Sequence, residues 1–301
     1  MSKKEGFVFV LDADNPKGAF VPKSKASVSV YDHGFLYGDG VFEGIRIYSK
    51  RIFRLKEHLD RLWDSAQSIE LEIPLSRERL TEVMVELAKR NGLENGYYRP
   101  VVSRGKGDLG INPKKCIMPT VVVIADKIQL YPEEFYEKGL SVVVAKTRRT
   151  PSECVSPNLK VTNYVNNILA VLEGNKSGAQ EVIMLDTRGF LSEASADNVF
   201  LVKDNVVLTP GRENILVGVT RLTVMEICRA QSIKVEERRL SLEDLFSADE
   251  VFLTGTGAEI VPVTRIDGKT VANGLPGPVT RRIREEFVKL TKNPEYGHAI
   301  G

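Results

Sequence analysis

The chain has 301 residues, of which 42% are hydrophobic, so it is long enough for one large or two medium globular domains. Its 42 lysines and arginines nearly balance 40 aspartates and glutamates, and a net charge of +2 does not predict a nucleic-acid-binding or membrane surface. Three widely separated cysteines, with no signal peptide before them, predict reduced thiols in a cytoplasmic protein. The histidine spacing predicts no metal site, and no apolar run is long enough to cross a bilayer.

The first part of the chain predicts strands on either side of a helical pair. The second helix of the pair has Ser76 as its N-cap and Gly92 just after its end. The predicted elements are strands at residues 7–10, 19–21 and 26–30, a turn or loop at 12–18, helices at 55–66 and 77–91, and strands at 97–102 and 120–125. This order is typical of an α+β domain, for which we predict residues 1–127, followed by a connector at 128–138.

Residues 31–46 combine four glycines with Tyr37, Phe42 and Arg46. Glycine lets a backbone turn with positive φ or approach another group closely, and the two rings and the arginine offer apolar walls and a fixed cation. The segment is therefore a candidate pocket lining. A glycine-rich strand and bulge with buried aromatic residues is an equally good interpretation of the same pattern.

Two arginines in this domain are candidate anion binders. Arg61 lies beside the apolar stripe of the first helix, where a planar guanidinium could clamp a phosphate, although most arginines on helices are surface residues. In the strand at 97–102, alternation places Tyr97 and Arg99 on the same face. A phenol and a guanidinium side by side suit a carboxylate.

The remaining residues, 139–301, predict a second domain with two further anion sites. The backbone N–H groups of residues 218–221, ahead of a helix, and of the glycine-rich bend at 254–258 could each hold an anion. The predicted elements are strands at residues 141–145, 181–186, 191–194, 198–202, 206–208 and 251–253, and helices at 222–230 and 279–290.

Lys160 and Tyr164 stand four residues apart, ahead of an apolar run that begins at Val165. If a helix begins at this lysine and ends near 174–178, the amine and the phenol lie on one face at its start. In a chain so rich in basic residues, a solvated surface lysine is the simpler interpretation. Glu193, in a predicted strand, is also unusual, because glutamate is seldom buried without a cation.

Together these groups match the needs of one cofactor, pyridoxal 5′-phosphate. It requires a lysine for its Schiff base, an acid at its pyridine nitrogen, a donor at its ring oxygen and an anion site for its phosphate. A carboxylate keeps the ring nitrogen protonated, and the protonated ring withdraws electrons from the substrate α-carbon.

At this point the sequence resembles the class IV aminotransferases, which are fold-type IV pyridoxal-phosphate enzymes, and among them the branched-chain amino acid aminotransferases. The resemblance runs from about residue 27 to residue 290. It is carried by residues 35–46 (FLYGDGVFEGIR), 58–62 (HLDRL), 97–100 (YYRP), 160–164 (KVTNY), 191–193 (LSE) with Asn198, 218–221 (GVTR) and 254–260 (TGTGAEI). It implies an α+β fold with the cofactor between a smaller N-terminal α/β domain and a larger C-terminal β-barrel-like domain with flanking helices.

The resemblance also implies a role for each site residue. Lys160 would carry the Schiff base and, once substrate releases it, move a proton between the substrate α-carbon and the cofactor. The other cofactor contacts would be Tyr164 at the ring oxygen, Glu193 at the ring nitrogen, and Arg61, the N–H groups of Val219 and Thr220, and Thr256 at the phosphate. The substrate contacts would be Tyr97 with the backbone of Thr256 and Gly257 at the α-carboxylate, Arg99 at the distal carboxylate of glutamate, and Tyr37, Phe42, Gly44, Arg46 and Ile111 around the side chain.

The implied reaction is the reversible, ping-pong transfer of an amino group from L-leucine, L-isoleucine or L-valine to 2-oxoglutarate, which gives branched-chain 2-oxo acids and L-glutamate. The family forms homodimers, so we expect a homodimer or a higher homo-oligomer in which Leu109 and Ile111 reach the partner's pocket. Two departures from the family are the long turn at 12–18 and a connector in which a contribution from Lys127 or Tyr131 is open.

Alternatives on the same fold are a D-amino acid aminotransferase, an aminodeoxychorismate lyase and an amine transaminase. The motif at 97–99, together with residues 41–46, favours the branched-chain type. A different class of function is a non-catalytic small-molecule-binding protein, and the presence of both Lys160 and Glu193 argues against it.

Overall fold

The computed structural model describes residues 5–301, which form two compact units. The first unit comprises residues up to Ile128 together with Leu159–Asn163 and Thr291–Gly301, and the second comprises Gln129–Asn158 and Tyr164–Leu290. The short Lys160 segment and the C-terminal residues therefore group with the first unit. The N-terminal domain predicted from the sequence, residues 1–127, does not include these two segments. The predicted boundaries at residues 127/128 and 138/139 stay a prediction.

Helices and strands are mixed along the whole described chain. The helices are α1 (His33–Tyr37), α2 (Leu55–Ser68), α3 (Arg77–Asn91), α4 (Glu133–Lys138), α5 (Val165–Ser177), α6 (Val219–Ala230), α7 (Leu242–Phe246) and α8 (Pro278–Lys292). The strands are β1 (Phe7–Asp12), β2 (Asn15–Pro22), β3 (Gly40–Phe42), β4 (Ile45–Tyr48), β5 (Arg51–Phe53), β6 (Gly96–Ser103), β7 (Thr120–Asp126), β8 (Leu140–Val144), β9 (Glu181–Leu185), β10 (Leu191–Ala194), β11 (Asn198–Lys203), β12 (Val206–Thr209), β13 (Val235–Glu237), β14 (Glu250–Gly255), β15 (Glu259–Ile266), β16 (Lys269–Thr270) and β17 (Gly297–Ala299). Among residues 5–301, no helix combines the length and apolarity that crossing a bilayer requires.

The first unit is built on one antiparallel sheet with the strand order β17-β5-β4-β6-β7-β1-β2, and β3 pairs with β6. Both predicted helices are present, and their apolar stripes enter the core with Leu62 and Met84. The predicted caps of α3 are also found. Ser76 Oγ accepts a hydrogen bond from a backbone N–H, and Gly92 ends the helix with a φ of 60°.

Two predictions in the first unit are wrong. The turn between β1 and β2 is short, because Asp12 Oδ1 accepts hydrogen bonds from the N–H groups of Asp14 and Asn15 and closes the chain within two residues. Residues 26–30 form an irregular segment and a turn where a strand was expected. Their alternating valines, Val28 and Val30, are exposed, so the alternation does not mark a core face.

The second unit is built on a mixed sheet with the strand order β10-β9-β8-β15-β14-β11-β12-β13, and β16 pairs with β15. β8 runs parallel to β9 and β15, and β12 runs parallel to β13. The predicted hairpin of β11 and β12 turns at Asp204 and Asn205, which have φ values of 50° and 60° and so match the mirror-image turns that hairpins prefer. Val199 and Leu253 lie in the core of this unit.

The helix predicted to start at Lys160 begins instead at Val165, with Tyr164 as its N-cap. The preceding residues are extended and pair with β3, since Phe42 N donates to Lys160 O at 3.0 Å and Thr162 N donates to Gly40 O at 2.8 Å. These backbone groups bond across to a strand, so they are not available for a helical turn. Lys160 therefore projects from an extended segment of the first unit.

Candidate active site

The Lys160 segment is fixed at both backbone and side chain within the first unit. Lys160 N donates to Ser65 Oγ on α2 at 3.1 Å, and Thr162 Oγ1 donates to Gly38 O at 2.7 Å. The Lys160 ammonium lies 4.5 Å from the centroid of the Phe42 ring, where a cation is attracted by the ring quadrupole. The amine is thus directed at an aromatic wall that the sequence had assigned to the substrate pocket.

The predicted carboxylate-binding pair lies beside that wall. Arg99 Nη2 donates to Tyr97 Oη at 3.0 Å, and the Arg99 guanidinium carbon lies 4.6 Å from the centroid of the Phe42 ring. The buried Nε of Arg99 has no hydrogen-bond partner among residues 5–301. A guanidinium with an unsatisfied buried donor is suited to a planar carboxylate.

Gly44 is the residue that lets Tyr97 approach the backbone. A Cβ placed at Gly44 would overlap the phenol oxygen and the outer ring carbon of Tyr97. Glycine is therefore required here for close approach and not for an unusual φ. Gly44, Phe42, Tyr97 and Arg99 come together as predicted residues of one cluster.

Arg61 is bound to a buried acid that the sequence reading did not single out. Arg61 Nε donates to Glu43 Oε1 at 2.6 Å, and Nη2 donates to Oε2 at 3.0 Å. His58 Nδ1 lies 2.8 Å from the same Oε2. Burial alone would raise the pKa of Glu43, but Arg61 and His58 hold it well below the ordinary value, so Glu43 is an anion at neutral pH.

Three other predicted substrate residues of the first unit lie outside this cluster of contacts. The Tyr37 phenol is partly exposed and donates to the carbonyl of Leu109. Ile111 is 79% exposed. Arg46 donates to Ile128 O at a long 3.4 Å and stacks on the Tyr48 ring. Their assignment to a substrate pocket stays a prediction.

Glu193 lies in β10 of the second unit, where it is held by a cation and a backbone donor. Arg149 Nε donates to Glu193 Oε1 at 2.7 Å, and Leu216 N donates to Oε2 at 2.8 Å. Both side chains of the ion pair are nearly buried, with 10% of Arg149 and 6% of Glu193 exposed. The cation that a buried glutamate was expected to need is Arg149, and both donors stabilise the negative charge of the carboxylate.

The predicted anion site at the start of α6 is connected to Glu193 through Leu216. Leu216 N binds Glu193, while Leu216 O accepts a hydrogen bond from Asn198 Nδ2 at 2.8 Å. Helix α6 begins shortly afterwards, at Val219. The N–H groups of Val219 and Thr220, which were the predicted donors, therefore lie in its first turn, where backbone N–H groups lack helical acceptors.

Asn198 also connects this site to the glycine-rich bend. It pairs with Thr254 in neighbouring strands, and Thr256 and Gly257 follow in the turn between β14 and β15. Thr254 Oγ1 is buried and has no hydrogen-bond partner within the described residues. Tyr164, the N-cap of α5, is half-buried in the same unit. The second unit thus holds a carboxylate and a segment leading into a helix, linked by hydrogen bonds through Leu216 and Asn198, and a hydroxyl-rich bend that follows the strand paired with Asn198.

Comparison with known families now decides the class of protein. The family model of amino-transferase class IV matches residues 40–266, which is most of the chain. The chain belongs to the class IV aminotransferases. Its mixed α+β architecture is the two-domain fold of that family.

Relatives of this class IV aminotransferase cover nearly its whole length. A protein of Methanocaldococcus jannaschii, provisionally named as a branched-chain-amino-acid aminotransferase, is 45% identical over 271 residues, which are 90% of this chain and 93% of the relative. The crystal structure of the Escherichia coli branched-chain amino acid aminotransferase is 33% identical, has a TM-score of 0.93, and the match covers 99% of this chain and 100% of that one. The branched-chain amino acid aminotransferase of the organism abbreviated T.th. is 36% identical over 99% of both chains, with TM-scores of 0.92 in a structure with pyridoxamine 5′-phosphate and 0.91 in a complex with N-(5′-phosphopyridoxyl)-L-glutamate.

The sequence reading of this aminotransferase missed Glu43, His58 and Arg149. Glu43 lies in an apolar, strand-like stretch, and His58 stands three residues before Arg61 in the predicted helix. This pattern could have been used to predict a buried acid that faces the helix. Arg149 lies in an irregular loop without periodicity, so the sequence carried no signal for it.

The two connector residues that the sequence left open are now placed in the fold, and a contribution of either to a pocket stays untested. Tyr131 is buried in the core of the second unit against Phe135 and Tyr136, which makes it a packing residue there. Lys127 is exposed. Within residues 5–301, no group of three His, Cys, Asp or Glu side chains is arranged to hold a metal ion.

Proposed function

We propose that this class IV aminotransferase uses pyridoxal 5′-phosphate to transfer the amino group of L-leucine, L-isoleucine or L-valine to 2-oxoglutarate, reversibly and by a ping-pong mechanism. The observation that carries the proposal is the cluster of Lys160, Phe42, Tyr97 and Arg99. It places an amine beside an apolar ring and beside a phenol and guanidinium that suit a carboxylate. The names of the relatives, and the glutamate conjugate bound to one of them, support it.

The residues present fit the cofactor. Lys160 would anchor it, Tyr164 would face its ring oxygen and Glu193 its ring nitrogen. Arg61, the N–H groups of Val219 and Thr220, and Thr256 would hold its phosphate. The buried hydroxyl of Thr254, two residues before Thr256, has no hydrogen-bond partner within residues 5–301, and a ligand or an ordered water would be expected to satisfy it. When bound, the cofactor supplies an electron-withdrawing ring that lets the substrate α-carbon lose a proton.

The protein groups then have distinct tasks. Lys160 Nζ would take the proton from the substrate α-carbon and return it, since its amine is the nucleophile and base of the cluster. Glu193, bound by Arg149 and Leu216, would keep its negative charge toward the ring nitrogen. Tyr97 would bind the substrate α-carboxylate.

Phe42 and Arg99 explain how one pocket would serve two kinds of side chain. The Phe42 ring offers apolar surface to leucine, isoleucine or valine. The Arg99 guanidinium stacks on that ring and carries an unsatisfied Nε, so it would bind the distal carboxylate of glutamate or 2-oxoglutarate.

We further propose that the enzyme is a homodimer or a higher homo-oligomer. Large apolar side chains are exposed in both units, including Phe35 and Ile111 in the first and Val165 and Ile168 in the second. Exposed apolar surface of this kind marks interaction sites. Ile111→Glu combined with Ile168→Glu should shift the mass measured by analytical ultracentrifugation toward the monomer, and an unchanged mass would contradict the proposal.

A cytoplasmic location is proposed as well. All three cysteines are free thiols in the described chain, which supports a reducing compartment. Cell fractionation with antibody detection would test this, and recovery of the protein outside the cytoplasmic fraction would overturn it.

The functional proposal is tested by an amino-donor panel with 2-oxoglutarate as acceptor. L-leucine, L-isoleucine and L-valine should give glutamate at the highest rates, while D-alanine and an aryl amine should give little. A preference for D-alanine would indicate a D-amino acid aminotransferase, and a preference for the aryl amine would indicate an amine transaminase. Absence of turnover with every donor would contradict transamination.

A further inference from the structure

The carboxylate of Glu43 is fully buried and accepts four hydrogen bonds. Arg61 Nε binds Oε1, and Arg61 Nη2, His58 Nδ1 and Gly44 N all bind Oε2, at distances from 2.6 to 3.1 Å. A carboxylate with donors at both oxygens has one orientation only. The guanidinium that it binds through two adjacent nitrogens is fixed in the same way, because the guanidinium is planar.

The charge states within this group are settled by their surroundings. Burial lowers the pKa of His58 below its ordinary value, although Glu43 opposes that shift, and Arg61 and Lys160 add to it. His58 is therefore neutral at neutral pH, and its Nδ1 must carry the proton because an ionised carboxylate can only accept. The group consists of one anion, one cation and one neutral donor.

We propose that Glu43 is a positioning residue that orients Arg61 toward the phosphate of the cofactor, with His58 holding Glu43 in place. This inference rests on the proposed role of Arg61. Glu43 binds the edge formed by Nε and Nη2, so the direction of the Nη1 edge is set before a ligand arrives. The rotamer freedom of the arginine is lost on folding and not on binding, which makes binding of a phosphate tighter.

A second ion pair in the same unit provides a matched control. Arg104 donates from Nε and Nη2 to the two oxygens of Asp39, at 2.9 and 3.0 Å, in the same two-nitrogen geometry. Arg104 Nη1 and Nη2 also donate to the carbonyls of Glu70 and Ile69, both at 2.6 Å, so its role is to join backbone segments. Asp39→Asn therefore perturbs an equivalent ion pair without touching Arg61.

The test compares binding of pyridoxal 5′-phosphate and pyridoxal to the apoenzyme, by absorbance titration. Both ligands offer an aldehyde to Lys160, but only one carries a phosphate. Glu43→Gln should weaken binding of pyridoxal 5′-phosphate about tenfold or more, as the loss of an orienting partner does elsewhere. Binding of pyridoxal should change by less than about twofold, and Asp39→Asn should leave the ratio of the two dissociation constants unchanged. In an Arg61→Met background, Glu43→Gln should produce no additional loss.

Several results would overturn the inference. Equal losses for both ligands would mean that Glu43 supports the fold in general, and unchanged binding of both would mean that it does not orient Arg61. If Glu43→Gln does not fold by circular dichroism, His58→Leu takes its place, with a smaller loss expected for the phosphorylated ligand alone. Failure of the unmodified apoenzyme to bind either ligand would contradict the cofactor proposal itself, which distinguishes that failure from failure of the inference.

Discussion

Arg61 pairs with Glu43 in the first unit, and Arg149 pairs with Glu193 in the second, and both ion pairs are nearly buried. The two pairs differ in which member, the cation or the acid, is the predicted cofactor contact. In the first pair the cation is the predicted cofactor contact and the acid is its support, and in the second the acid is the contact and the cation is its support. Their Nε to carboxylate distances are nearly equal, at 2.6 and 2.7 Å. Each predicted cofactor contact, Arg61 or Glu193, is thus bound by an oppositely charged side chain to which the family resemblance assigned no role.

The difference between the pairs lies in what else binds the supporting residue. Glu43 also accepts from His58 and the Gly44 N–H, while the further side-chain contact of Arg149 within residues 5–301 is a long one, at 3.4 Å from Asn166 Oδ1. Removing one member of a buried pair leaves an uncompensated charge, which is more costly than the pair is stabilising. The second pair, with fewer donors and acceptors around its support, should be the more sensitive to mutation.

The largest expected effect is on the rate of transamination when Lys160 is replaced. Lys160 belongs to neither ion pair, and the loss of rate in its variant is the reference for the losses expected in the variants of both pairs. Lys160→Ala should lower transamination by about 10³-fold or more, because the amine is both the covalent anchor and the proton carrier. The measurement is the rate of glutamate formation from L-leucine. Lys17→Ala, at an exposed lysine of β2, is the control and should keep the normal rate. Near-normal turnover by Lys160→Ala would show that another lysine does the chemistry.

The next effect tests the second pair directly. Arg149→Met should reduce the free energy of unfolding by about 3–5 kcal/mol, because the nearly buried Glu193 carboxylate would lose the cation of its ion pair, and should lower kcat about 10- to 100-fold. Urea unfolding and steady-state kinetics measure the two changes. Arg79→Met is the control, since Arg79 and Glu82 are 52% and 65% exposed in their ion pair and the substitution should cost less than about 1 kcal/mol. Similar losses for the two variants would refute the special role of Arg149.

Arg99 differs from the arginines of the two ion pairs, because it contacts the Tyr97 phenol and the rings of Tyr97 and Phe42 and not a carboxylate. Arg99→Ala should lower the rate with L-glutamate about 10- to 100-fold more than the rate with L-leucine, since only glutamate brings a second carboxylate. Single-turnover absorbance changes measure the two half-reactions separately. Arg46→Ala, on the neighbouring strand opposite Tyr97, should affect both substrates alike. Equal losses for both substrates in Arg99→Ala would remove the assigned role.

A smaller effect is expected at Gly44, whose N–H belongs to the Glu43 group. In Gly44→Ala the new methyl group overlaps the Tyr97 phenol, which must move away from the α-carboxylate position. We expect kcat/KM to fall about tenfold for leucine and glutamate alike, as one lost hydrogen bond to a charged group would produce. An unchanged kcat/KM for both substrates would show that Tyr97 does not bind the α-carboxylate.

The smallest effect is a pH dependence in the first pair. The folded-state pKa of His58 is lowered, so its contribution to stability is present above the ordinary histidine pKa and is lost as the pH falls below it. Between about pH 6.5 and 5 the free energy of unfolding should fall by up to about 1.4 kcal/mol per pH unit from this residue. The charged groups that act on His58 are Glu43, which raises its pKa, and Arg61 and Lys160, which lower it. Urea unfolding of His58→Gln should give a shallower slope, and an identical slope would contradict the neutral state of His58.

Much of the fold could be predicted from the sequence because local patterns dictated it. The helices at 55–66 and 77–91 had apolar stripes and, for the second, a serine cap and a terminal glycine, and both appear with these features. The hairpin at Asp204 and Asn205 was equally local. What failed was decided by distant partners, since the Lys160 segment is extended because it pairs with β3, a strand more than 100 residues earlier.

The candidate site divides in the same way. Lys160, Arg61, Tyr97 and Glu193 could be chosen from residue type and motif. Their assignment as site residues stays a prediction. Of the two supporting residues, Arg149 could not be chosen, because its role depends on the conformation of an irregular loop, whereas Glu43 carried a signal in its sequence surroundings that went unused.

The most direct test of the proposed function is the absorption spectrum of the enzyme loaded with pyridoxal 5′-phosphate, recorded before and after single additions of L-leucine, L-glutamate and D-alanine. The account predicts a cofactor band that shifts with L-leucine and with L-glutamate, stays in place with D-alanine, and responds to none of them in Lys160→Ala. A band that ignores both L-amino acids, or that shifts with D-alanine alone, would contradict it.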